Sequence, residues 1–235
     1  MKHLLRRFIK NKTFMIWCLS IIFILYFLFN PLLASKAEYM LDKNISEYCY
    51  IYYAFLLPMS FYDMGFITCL LLELVYFSLI VYISVSFINL FFRETSSVTL
   101  TRMNRDKWIK DIININLKFS IVISLFYVLF FYSLCFINNV NFDITIQLII
   151  PIIYKVIITC IIPLIFINVF ITSDSEVISI IFSIVSSLFI QLVIKASFSE
   201  RTVRFDYSLA IILMLICVYY LLKKVIINNF KRRDV

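Results

Sequence analysis

Long apolar runs separated by short polar stretches set the pattern of this chain. Six runs come out as membrane-spanning helices, at about twenty apolar residues for each ~30 Å of hydrocarbon. They cover 14–33, 65–92, 119–137, 144–171, 177–194 and 207–222. None alternates with the period of two that a barrel strand requires, so the expected fold class is all-α integral membrane, one transmembrane domain over 1–235. Ahead of the first run, Leu4, Leu5, Phe8 and Ile9 share one helical face among Lys2, Arg6, Arg7 and Lys10. Two readings stay open there: an amphipathic helix on the membrane surface, or a plain basic tail that sets topology. The first run exceeds the 7–15 residues of a signal peptide's apolar region, and more spans follow, so it reads as a retained helix. A tyrosine-rich stretch at 48–62, broken by Pro58, reads as an outer interfacial or re-entrant segment. Pro151 and Pro163 interrupt the fourth run, and TSDSE at 172–176 predicts a tight inner turn.

The largest polar interruption is 93–118, RETSSVTLTRMNRDKWIKDIININLK, with six basic and three acidic residues. Placing both termini in the cytoplasm puts this stretch inside as well. Sixteen Lys and Arg then flank the inner ends of the spans and five the outer ends, as the positive-inside rule favours. Lys155 is left over, inside the fourth run.

Composition agrees with lipid: 63% of residues are hydrophobic and 15% charged, against roughly 45–50% and about 25% in soluble domains. The single glycine, Gly65, excludes a Walker A loop and a dinucleotide GxGxxG loop, both of which need glycines so that backbone N–H groups can approach phosphate. The single histidine, His3, excludes an HExxH zinc site and a Ser-His-Asp triad. The six cysteines are scattered without a CxxC pair, and five lie in apolar runs, so no disulfide framework is expected. The +8 net charge belongs to residues beside spans, which points to anionic headgroups and topology and away from nucleic acid.

Six spans with both ends inside and no nucleotide site resemble the permease subunit of an ABC transporter of the ABC-2 type. The specific resemblance lies in the polar interruption. Arg93-Glu94 resembles the pair that ends the over-long second span, 96–103 the coupling helix, and Asn104-Arg105-Asp106-Lys107-Trp108 with Lys110 the basic-aromatic start of the third span. Ser96-Ser97 stands where that family usually carries Gly-Thr. The resemblance is to small exporter permeases of low-GC Gram-positive bacteria, several of which serve export of, or immunity to, antimicrobial peptides. It implies a separate ATPase subunit that holds ATP and Mg, a second permease chain, no cofactor on this chain, and a place in the bacterial cell membrane. It also implies that the ATPase docks on Glu94, Ser97, Val98, Arg102, Met103, Arg105, Lys107 and Trp108.

The residues themselves allow that docking. Val98, Met103 and Trp108 are apolar points in a hydrophilic stretch, able to fill a partner's groove, with Arg102, Arg105 and Lys107 to pair with charges around it. The plainer reading sets Trp108 at the lipid interface and the basic side chains against headgroups.

Within the spans, Glu73 and Lys155 are the costly groups. Counted from Asp63 and Asp143 at the outer side they lie at similar depths, about 15 Å and about 18 Å at 1.5 Å per residue. An ion pair, or a shared polar patch in a pathway, is one expectation. The other is that Pro151 ends an interfacial segment and Lys155 snorkels outward. Gln191, Asn89 and Asn168 are expected to make helix–helix hydrogen bonds, Gln191 also as a pathway candidate. Two other functions fit the same composition: a sensor or immunity component that binds a membrane-active ligand without transport, and an ion-coupled carrier. Neither a paired-carboxylate motif nor a nucleophile–base pair points to an enzyme.

Overall fold

The computed structural model describes residues 105–137, 146–195 and 205–232, with nine helical residues upstream of them: Leu74, Tyr76, Phe77, Ile80, Val81, Tyr82, Ser84, Val85 and Ser86. Four helices follow in order: α1 (Arg105–Ile137), α2 (Ile146–Ser173), α3 (Glu176–Lys195) and α4 (Phe205–Arg232). Each contains a segment long and apolar enough to cross a membrane, which makes the chain a multi-pass membrane protein whose described residues are helical apart from the short turn at 174–175. The four correspond to the third to sixth expected spans. The first span, the N-terminal segment and most of 65–92 lie outside the described residues.

α2 is the centre. Every residue from 158 to 167 is buried, so neighbours cover the helix on all sides. Of its membrane-length segment 72% is buried, against 28% for α3 and 11% for α4. Pro151 and Pro163 both lie inside α2, which runs on through them. Neighbouring helices that satisfy freed backbone groups make such prolines tolerable in a membrane.

α3 packs on α2 with an inverted pattern. Ser179, Ser183, Ser187 and Gln191, spaced by four, are fully buried, while Ile178, Ile181, Phe182, Val185 and Phe189 point outward. In water this arrangement would be backwards. In lipid it is favourable, because small residues let helices approach closely and apolar side chains meet acyl chains. The buried hydroxyls bond within their own helix. Ser179 Oγ donates to Ser175 O at 2.7 Å, Ser183 Oγ to Ser179 O at 2.6 Å and Ser187 Oγ to Ile184 O at 2.7 Å.

The α2–α3 connection is the tight turn expected from TSDSE. Asp174 N–H donates to Phe170 O at 3.0 Å and closes α2. Ser175 caps α3, its Oγ accepting from Ile178 N–H at 3.4 Å, and Glu176 places negative charge in the first turn. Asp174 holds φ at 55°, a left-handed conformation that costs a side chain with a Cβ roughly 1–2 kcal/mol. Asp174→Val is therefore expected to be less stable than Asp174→Gly by about that amount in detergent unfolding.

At the end of the bundle that holds this turn, one apolar cluster joins Val81, Ile109, Ile112, Ile113, Ile171, Ile226 and Phe230. α1 reaches back through the basic-aromatic segment to Arg105, and α4 runs on past Lys223-Lys224 to Arg232, where the sequence pattern suggests only a basic tail. Both extensions are held by this cluster. Asn229 Nδ2 donates to Asn168 Oδ1 at 3.1 Å beside it, the interhelical bond expected of Asn168.

Candidate functional site

Lys155 lies nine positions into α2 and is 1% exposed, so it does not snorkel to an interface. Its surroundings come from three helical segments. The Nζ lies 3.8 Å from the centre of the Tyr76 ring and 4.8 Å from that of Tyr127 on α1. The two rings are 4.5 Å apart and tilted by 58°. An ammonium over aromatic faces gains roughly 2 kcal/mol or more when water is excluded.

Hydrogen bonds fix the cage. Thr159, one turn after Lys155, donates its single hydroxyl proton to Lys155 O at 2.6 Å. Its oxygen can then only accept from Tyr76, so the Tyr76 hydroxyl is the donor in their contact. Tyr154 OH donates to Ser208 O at 3.1 Å and ties α2 to the start of α4. Tyr76, Tyr154, Lys155 and Thr159 are all almost completely buried. The arrangement buries the Lys155 ammonium against two aromatic rings and joins α2 to α1 and to the segment that carries Tyr76. An intramembrane cation so placed is suited to lock segments that move relative to one another.

The other sequence candidates fall differently. Gln191 is fully buried at the far end of the α3 polar stripe. Arg105, Lys107 and Trp108 lie on the first turn of α1. Glu73, Glu94, Ser97, Val98, Arg102 and Met103 lie outside the described residues. Among the described residues no group of His, Cys, Asp and Glu could hold a metal ion. Sequence reasoning does not single out Tyr76, Tyr127, Tyr154 or Thr159. Only Thr159 carries a local signal, its spacing of four from Lys155; the tyrosines converge through tertiary packing.

No family model matches the chain, and neither a curated protein nor a solved structure matches it.

Proposed function

We propose that this chain is a permease subunit of an ATP-driven exporter in a bacterial cell membrane. In this reading a separate ATPase subunit binds ATP and Mg, and two permease chains form a path for an amphipathic cargo, a peptide being the class that fits best. Both termini and the 93–118 stretch face the cytoplasm. Docking centres on Glu94, Ser97, Val98, Arg102, Met103, Arg105, Lys107 and Trp108.

The observation that supports the reading is the continuity of α1. Its 33 residues run unbroken from Arg105 to Ile137, about 50 Å of helix at 1.5 Å per residue. A partner that pushes on the first turn would therefore move a rigid lever reaching through the membrane. Ile109, Ile112 and Ile113 are packed with Ile226, Phe230 and Ile171, so the displacement would pass to α2 and α4 and not be absorbed by a loop. A second reading, an ion-coupled carrier, draws on the burial of an ionisable group, Lys155, within a span.

The test is a mild-detergent purification of the tagged chain from its native cells, with the co-purifying proteins identified and assayed for ATP hydrolysis. An ATPase should be recovered with the wild type. Recovery should fall about tenfold or more in the Arg105→Glu, Trp108→Ala variant, as expected for loss of interface hot spots. A hydrolysis-free preparation without an ATPase overturns the exporter reading.

A further inference from the structure

The outward faces of α1 and α4 change character at one level of the bundle. On α1, Ile121, Val122, Leu125, Phe126 and Leu129 are exposed, and among the described side chains before them the exposed ones are Lys110, Asn114 and Lys118. On α4, Leu213, Met214, Tyr220 and Leu221 are exposed, and after them come half-buried Lys223, exposed Lys224, then exposed Val225 and Asn228.

The two helices run in opposite directions. Tyr154 bonds Ser208 and Asn168 bonds Asn229, so α2 and α4 run the same way. Tyr127 lies beside Lys155, while Ile109–Ile113 pack in the same cluster as Ile167 and Ile171, so α1 runs the other way. The cluster and the half-buried residues against it draw on positions 109–123 of α1 and 219–230 of α4. Lys118 and Lys223-Lys224 sit within about a turn of the middle of those stretches, and hence at one level.

From this we infer that Lys118, Lys223 and Lys224 form one binding level for the phosphates of anionic phospholipids. Lysine is costly in hydrocarbon and favourable beside anionic headgroups, about fivefold in binding for each residue. Apolar faces leading away from the level on both helices fit acyl chains on that side. The helix ends beyond it, 105–117 and 225–232, then stand past the hydrocarbon, which their exposed Lys110, Asn114 and Asn228 suit, with Val225 directly after the lysines as the one exposed apolar side chain described there.

The bundle then sits obliquely. Asn168 is level with Asn229, so the α2–α3 turn lies about 15 Å beyond Lys224, counting five residues on each helix at 1.5 Å. Yet Val177, Ile178, Ile181 and Phe182 just after that turn are exposed and apolar. Among the described helices α3 packs chiefly on α2, while α1 and α4 pack on α2 and on each other. Reach of the lysine stems and a tilt within the usual 0–40° bring α3 into hydrocarbon while the lysines meet phosphate.

The test reconstitutes the full chain in phosphatidylcholine with spin-labelled phosphatidylglycerol or spin-labelled phosphatidylcholine, and reads the relative association of each by electron paramagnetic resonance. The wild type should prefer phosphatidylglycerol. The Lys118→Gln, Lys223→Gln, Lys224→Gln variant should lose most of that preference, a fall on the order of tenfold or more. Independently of those variants, Asn114→Cys and Asn228→Cys should react with a membrane-impermeant maleimide, and Leu125→Cys and Leu213→Cys should not. Equal association of the two lipids, a preference unchanged in the triple variant, or protected cysteines at 114 and 228 overturns the inference. Competition by inorganic phosphate would mean that the lysines take a soluble anion, and overturns the assignment to lipid. None of these outcomes depends on an ATPase partner.

Discussion

Tyr76→Ala is expected to destabilise the protein by about 4 kcal/mol or more, measured by unfolding in mixed detergent micelles. The substitution removes a ring that is 1% exposed, a loss of roughly 3–5 kcal/mol for an aromatic residue cut to alanine in a core. It also removes the hydrogen bond to Thr159 and uncovers the Lys155 ammonium. A buried charge deprived of its surroundings is worse than no charge. Lys155→Met keeps most of the side-chain volume and removes the charge, so alone it should cost much less than Tyr76→Ala. In the double variant part of the Tyr76→Ala loss should be recovered, with a coupling of about 2 kcal/mol. Strict additivity would show that the ammonium and the ring ignore each other and that the cage is only close packing. A second cycle, Lys155→Met with Glu73→Gln, asks whether the expected carboxylate partner contributes; no coupling there would remove the ion pair and leave the tyrosine cage standing.

Phe230→Ala should cost about 3–5 kcal/mol although the residue lies among Asn228, Asn229, Lys231 and Arg232. Its ring is 1% exposed and belongs to the same cluster as Ile109, Ile112 and Ile113. The loss should appear at both ends of the contact. Detergent unfolding should shift, and the first turns of α1 should become more open to proteolysis, because their apolar face loses its cover. Phe230→Leu should cost far less, since it keeps most of the buried apolar volume. If Phe230→Ala unfolds like the wild type, the end of α4 is a solvated tail after all. In the exporter reading the same variant should also weaken coupling to the ATPase, because the lever would no longer be gripped by α4.

The membrane class was legible because hydrocarbon imposes its demands residue by residue. A helix must satisfy its backbone internally and show apolar side chains for about twenty positions, and that can be counted along the chain. The α2–α3 turn was legible for a related reason: Thr172-Ser173-Asp174-Ser175-Glu176 supplies caps that act over three or four residues. The helix ends were less so. Lys223-Lys224 looks like the exit from the membrane, but local charge does not say whether the helix continues. That depends on Ile226 and Phe230 finding Ile109 and Ile112 on another helix.

Sequence by itself thus determined the helical class, the starts of α2 to α4 to within a few residues, the tight turn, and Lys155 as an anomaly. Tertiary structure alone decided which helix is central, since α2 and α3 are similarly apolar and only neighbours make one buried and the other exposed. It likewise decided what surrounds Lys155. A cation's cost in lipid is a property of its own residue. Two rings that lie over the ammonium belong to Tyr76 and Tyr127, on other helical segments far away along the chain, and they meet it only when the helices pack.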